Sequence, residues 1–103
     1  MISEVTQGTI TTNGQAVTAD CRGAGSAAAQ VTGTWSGTLS FKASVDGVNF
    51  VAINATPPTG GSAVTTTTGN GVWIISLGGY SQLEVVATAT MTGSAVVSIG
   101  TSS

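Results

Sequence analysis

The sequence predicts an all-β protein: a two-sheet, jelly-roll-like β-sandwich of about eight short antiparallel strands, formed by residues 1–103 as one domain. Three observations predict it. Apolar and polar residues alternate along several short stretches, the period of a strand with one face in water. Turn-forming pairs, among them Asn13-Gly14, Asp46-Gly47 and Gly78-Gly79, punctuate those stretches. Fifteen glycines and abundant threonine weaken any helix, whereas threonine and valine favour strands.

Taken in chain order, residues 5–11 and 15–19 are the first two strands, separated by Asn13-Gly14. Residues 2–10, within a segment 1–12, are also expected as an extended arm that adds a strand to a neighbour's sheet edge. The alanine-rich residues 27–35 could begin a helix. However, Gly23 and Gly25 precede them and Val31, Thr32 and Gly33 interrupt them, so a strand wins. Ser36-Gly37 then joins it in a hairpin to residues 39–45, which alternate without a break. Asp46-Gly47 turns that strand back into residues 50–53, a second hairpin.

Residues 54–71 form a loop marked by Pro57-Pro58 and Gly60-Gly61, with residues 63–68 as a strand near a sheet edge. Residues 72–77 are mostly apolar, so few of their side chains should face water. The last pair, residues 83–91 and 94–99, reads as a third hairpin across Thr92-Gly93. Leu83, Val85, Ala87, Ala89 and Met91 share one face of the first strand, and Ala95, Val97 and Ile99 share one face of the second.

Hydrophobic residues make up 41% of the chain but aromatic residues only 5%, so the core must be built from Val, Ile, Leu and Ala. Charged residues are 6%, namely Glu4, Asp20, Arg22, Lys42, Asp46 and Glu84, against roughly 25% in an ordinary soluble domain. A surface of Ser, Thr and Gly hydrates well but offers little repulsion against neighbours, which suits a protein packed into an assembly. With two basic residues and a net charge of −2, the chain cannot neutralise a phosphate backbone, and no nucleic-acid partner is expected. No apolar run approaches the roughly 20 residues of a membrane helix, so no membrane partner is expected either. Met1-Ile2-Ser3-Glu4 lacks the basic and apolar regions of an export signal, and the single Cys21 fits synthesis in a reducing cytoplasm. Cys21 is expected to be a small semi-buried residue with no histidine to activate it.

The chemistry open to this chain is narrow. It contains no histidine, which removes the usual activated nucleophiles and the commonest zinc ligand. Its four acids are scattered singly, without the spacing of a calcium loop. No enzyme activity, metal or cofactor is expected. Asp46 is explained as the acid of its Asp-Gly turn, and Glu84 as an outward-facing charge on its strand. A hydrolase using Asp46 and Glu84 is the weakest of the functions considered. Trp35, Trp73 and Tyr80 are expected as core or subunit-contact aromatics, with a carbohydrate-stacking platform as the alternative.

The run Val31-Thr32-Gly33-Thr34-Trp35-Ser36-Gly37-Thr38-Leu39-Ser40-Phe41-Lys42-Ala43-Ser44-Val45-Asp46-Gly47-Val48-Asn49-Phe50-Val51-Ala52-Ile53 resembles a module of tailed-bacteriophage structural proteins. There a Ser-Gly-Thr hairpin leads into a Ser-x-Asp-Gly turn followed by an aromatic residue. Ser44-Val45-Asp46-Gly47 and Phe50 fill those places here. Gly79-Tyr80-Ser81-Gln82-Leu83-Glu84-Val85 and the final Met91-Thr92-Gly93-Ser94-Ala95-Val96-Val97-Ser98-Ile99 are similar as well, so the likeness covers about three-quarters of the chain. The family often carries a basic residue around Glu84 and Val86, and this chain does not.

The resemblance implies a virion β-sandwich. Its expected role is that of a capsid decoration, or cement, protein on the outer capsid surface, a homotrimer that stabilises the shell by bridging copies of the major capsid protein. Ile2, Val5, Ile10, Trp35, Trp73 and Tyr80 are the expected capsid or subunit contacts. The alternative is a tail, fibre or baseplate module that binds a host-surface carbohydrate.

Overall fold

The computed structural model describes residues 3–21 and 24–102. Nine strands form two antiparallel sheets, among the described residues without a helix: β1 (Ser3–Ile10), β2 (Ala16–Asp20), β3 (Ser26–Ser36), β4 (Leu39–Ser44), β5 (Val51–Ala52), β6 (Thr66–Thr67), β7 (Gly71–Ser76), β8 (Gln82–Ala87) and β9 (Thr92–Ser102). Sheet A has the order β1-β9-β3-β7 and sheet B the order β2-β8-β4-β5, with β6 also against β4. The chain thus folds back on itself in layers, early strands pairing with late ones, which is the jelly-roll arrangement of a β-sandwich.

The alternation read from the sequence is what separates core from surface. From sheet A, Ile10, Ala27, Ala29, Val31, Ile75, Ala95, Val97 and Ile99 point inward; from sheet B, Val17, Ala19, Leu39, Phe41, Ala43, Leu83, Val85 and Ala87 meet them. Phe41 of β4 and Trp73 of β7 close the gap between the sheets, their ring centroids 5.2 Å apart and tilted by 51°. A fully buried side chain of this size contributes about 1.5–3 kcal/mol. With so many alanines in the core, these two rings carry a large share of the volume.

Two turns expected to close hairpins, and the turn at Asn13-Gly14, instead carry the chain from one sheet to the other. Residues 11–15, around Asn13-Gly14, lead from β1 in sheet A to β2 in sheet B. Ser36-Gly37 leads from β3 in sheet A to β4 in sheet B, and Thr92-Gly93 stands where the chain re-enters sheet A after β8 of sheet B. Positive φ is needed at these corners just as in a hairpin: Gly37 has φ 137°, and a β-carbon there would lie 2.6 Å from Met91 Sδ. Asp46-Gly47 does close a hairpin, pairing Lys42 with Ala52 and Ala43 with Val51.

Three further expectations are corrected. Residues 3–10 are not a projecting arm but the edge strand β1 of the chain's own sheet, in register with β9 from Ser3↔Ser102 to Ile10↔Ala95. In β7, Trp73 and Ile75 are buried but Val72 and Ile74 are 39% and 45% exposed, because β7 has only one covered face. Residues 83–91 are shorter as a strand than expected, β8 ending at Ala87, while Met91 still packs into the core from the corner.

Candidate functional site

The outer faces of the two sheets differ in charge, and the strand registers show how. Across sheet A, outward residues line up in rows: Val5, Gly100, Ala28 and Ile74 in one, Gln7, Ser98, Gln30 and Val72 in the next, then Thr9, Val96 and Thr32. Among the described residues, this face carries no charged side chain. Gly100 and Ala28 are small, so the first row forms a shallow trough of about 240 Å³ with Ile74 at its rim. Gln7 Nε2 donates to Ser98 Oγ at 3.1 Å, so part of the polar surface is satisfied within the face itself.

Among the described residues, the charged rows lie on sheet B. Thr18, Glu84 and Lys42 form one row across it, and Asp20 lies on the same face of β2. Burial pushes the Glu84 carboxyl above the ordinary carboxylate range, and the neighbouring Lys42 ammonium partly opposes that shift. Asp46 sits in the β4–β5 loop with its oxygens turned into its own turn. Its Oδ1 accepts from Asn49 N, Val48 N and Ser44 Oγ, each at 2.8 Å, and its Oδ2 accepts from Asn49 Nδ2 at 2.9 Å. The backbone N–H of Asn49, then that of Val48, then the two side chains, hold this carboxyl well below its usual range. Such a carboxylate is tied up as a turn organiser and presents no proton to a substrate.

A second concavity, an open groove of about 650 Å³, lies beside β7, where Ile53, Asn54, Pro57, Ile74, Ser76 and Tyr80 are among its walls. Thr56 bridges to Ile74 here, with N–H···O contacts of 2.9 and 2.8 Å in the two directions. No carboxylate, ammonium or thiol lines the groove. Its walls offer hydrogen bonds and one aromatic ring, the equipment for holding a neutral ligand.

The expected contact residues fall in several places. Val5 is 72% exposed on the outer face of sheet A. Ile10 and Trp73 are buried in the core, so neither presents its side chain to a partner. Trp35 is half-buried at the end of β3, its Nε1 donating to Asn70 Oδ1 at 2.7 Å. Tyr80 is half-buried in the β7–β8 turn, where its N–H bonds Leu77 O, itself next to Gly25 at the other end of β3. The three aromatics therefore form no common platform: one is core and the other two lie at opposite ends of β3. Ile2 lies outside the described residues. Cys21 is more deeply buried than expected, with its thiol pushed up to about 11 by desolvation and, secondarily, by Asp20.

What the sequence did not single out is the row arrangement. Val72 and Ile74 look like core residues in a linear pattern, and only the sheet order shows that they share an uncharged face with Val5, Gln7 and Gln30.

Among the described residues, no three His, Cys, Asp or Glu side chains come together as a metal centre. No protein-family model matches the sequence, and no curated protein matches it. Solved structures do match the fold. The crystal structure of the SPBc2 prophage-derived protein YomS superimposes with a TM-score of 0.81 at 17% identity, covering 98% of this chain and 95% of that one. The PBSX exported protein XepA superimposes with a TM-score of 0.79 at 13% identity, covering 98% of this chain but 38% of that one, so this chain spans little more than a third of XepA. The chain therefore shares its β-sandwich fold with these two phage-derived proteins.

Proposed function

We propose that the protein is a non-catalytic structural component of a bacteriophage virion that acts by adhesion. Its finer role in this proposal is capsid decoration: the uncharged face of sheet A lies on the outer capsid surface and bridges neighbouring copies of the major capsid protein. The observation that carries the proposal is the segregation of charge. Among the described residues, the outer face of sheet A has only Val, Ile, Ala, Gly, Ser, Thr and Gln side chains, while Asp20, Lys42 and Glu84 lie on the outer face of sheet B. An uncharged, flat, mixed surface can be desolvated over a wide area without stranding a charge, and many weak contacts on a shell add through multivalency. The fold shared with prophage-derived proteins supports the phage context.

The test is co-sedimentation with purified capsids of the cognate phage, with imaging of the intact particle at side-chain resolution to locate the chain. Gln30→Lys and Ile74→Lys, on sheet A, should abolish occupancy, while Lys42→Gln, on sheet B, should leave it unchanged. Retained binding of both sheet A variants would refute the assignment of the face.

A second proposal, docking of a neutral host-surface carbohydrate by a tail or fibre module, is favoured by one observation: the charge-free groove beside Tyr80, Asn54 and Ser76. Glycan-array binding that is lost in Tyr80→Ala would support it, and the absence of any sugar affinity would exclude it.

A further inference from the structure

We infer that the protein pairs with a second copy of itself through the free edges of β1, about a two-fold axis at Gln7, the free edges of β2 meeting at Thr18 on the same axis. The argument starts from which backbone groups are already used. In sheet A the N–H and C=O of Ile74 are taken by Thr56, so they point away from β3. In an antiparallel ladder the direction alternates with each residue. Following the registers inward, odd residues of β3 bond to β7, even residues of β3 bond to β9, and odd residues of β9 bond to β1. The N–H and C=O groups of Val5, Gln7 and Thr9 are therefore aimed out of the sheet. In sheet B, Ala87 N donates to Gln15 O and Cys21 N to Ser81 O, which sets the odd residues of β2 toward β8. Ala16 and Thr18 are then aimed outward.

These two edges lie on the same side of the sandwich. Gly8 of β1 faces Val17 of β2, so close that a β-carbon on Gly8 would be 2.8 Å from Val17 Cγ2, and Gln7 consequently sits over Thr18. The opposite side is closed. Thr56 occupies the outer edge of β7, Pro57 and Pro58 follow it, and the outermost strands of sheet B, β5 and β6, are two residues each. Short strands and prolines are how sheets avoid edge pairing, and the β1 side has neither. β1 runs through 8 residues in unbroken register with β9, with no bulge, proline or lysine to guard it.

A molecule with one open side can pair edge to edge only by presenting that side twice, which gives a two-fold and a closed dimer rather than a fibre. Centring the axis on Gln7 sets Val5 opposite the second copy's Thr9, and every outward N–H and C=O of Val5, Gln7 and Thr9 finds a partner. The same axis passes Thr18, so both sheets continue into the second copy. The neutral face of sheet A would be doubled in width. The inference does not depend on the capsid proposal, because it is read on the isolated protein.

The test is the mass in solution by sedimentation equilibrium, starting from a chain of 10.0 kDa. Twice that mass is expected, with a Kd tighter than about 1 mM. Gln7→Pro removes a backbone donor aimed at the neighbour, which the β1–β9 ladder does not use, together with the side-chain bond to Ser98 that Gln7→Ala also removes, and should give a monomer with an unchanged far-ultraviolet spectrum. Gln7→Lys leaves the backbone intact and places two ammonium groups at the axis. It should raise Kd at least about tenfold, an effect relieved by salt. Gln7→Ala should remain dimeric. A wild-type monomer at about 1 mM, a trimer, or a dimer that tolerates Gln7→Lys would each overturn the inference.

Discussion

Gly8 and Val17 face each other across the open side of the sandwich at a separation that leaves no room for a methyl group: a β-carbon on Gly8 would lie 2.8 Å from Val17 Cγ2. Val17 is β-branched and held in a strand, so it has little rotamer freedom with which to move aside. Gly8→Ala should therefore destabilise the protein by about 1–3 kcal/mol, the usual cost of overpacking. The control is a double-mutant cycle with Val17→Ala, followed by urea denaturation. The Gly8→Ala penalty should shrink in the Val17→Ala background, and additive losses would show that the two sites do not clash.

Acid stability should report the Asp46 turn. The folded protein holds this carboxyl below its ordinary value of 3.8, so the stabilisation is present above that pH and is lost as the pH falls below it. Glu84 works in the other direction. Its raised folded-state value makes the charged form unfavourable at neutral pH, a penalty relieved as the pH falls. Denaturation curves across the acid range in a Glu84→Gln background should show a decline toward low pH that Asp46→Asn flattens. An unchanged decline in the double variant would assign it elsewhere.

Cys21 should be inert until the chain unfolds. With the thiol at about 11 rather than its ordinary 9.0, the thiolate fraction at pH 8 falls by roughly 100-fold, before any protection from burial is counted. Alkylation at pH 8 should proceed at least about 100-fold more slowly in the native state than in urea. Rapid native labelling would mean that the β2–β3 connection opens readily.

Asn70 ties the β6–β7 loop to the end of β3 with both halves of its amide, accepting from Trp35 Nε1 at 2.7 Å and donating from Nδ2 to Gly33 O at 2.9 Å. Asn70→Ala should cost about 1–2 kcal/mol and shift tryptophan emission to longer wavelength as Trp35 loses its anchor. Asn70→Asp keeps the acceptor and loses the donor, so it should fall between the two.

How far the fold was legible follows from what each signal encodes. The alternation in residues 39–45 identified Leu39, Phe41 and Ala43 as one face, and all three are fully buried, but Val45, next on that face, is exposed beyond the end of β4, and Ser40 and Ser44 on the face expected in water are buried as well. Period-two patterning is a property of one strand, so it could not say which strand lies beside it. Asn13-Gly14 reads as a turn and Thr92-Gly93 as a hairpin connection, and Gly14 and Gly93 do supply positive φ, at 88° and 76°. The corner between two sheets makes the same demand on the backbone, so the dipeptide alone does not distinguish them. Val72 and Ile74 misled for a related reason: an apolar run signals burial on both faces, and here one face is left open. Trp73 was assigned to the core or to a contact, and only the packing on Phe41 decides for the core. Asp46 was legible in full, because an Asx turn is local in sequence.

The pairing of Ser3 with Ser102 has a consequence for biosynthesis. β9 is the central partner of both β1 and β3, so sheet A has no spine until the final residues of the domain leave the ribosome. Nascent β1 must wait unpaired for that moment while β3 has only β7 beside it, and the loop that closes last is the longest, which makes acquisition of the native state slow.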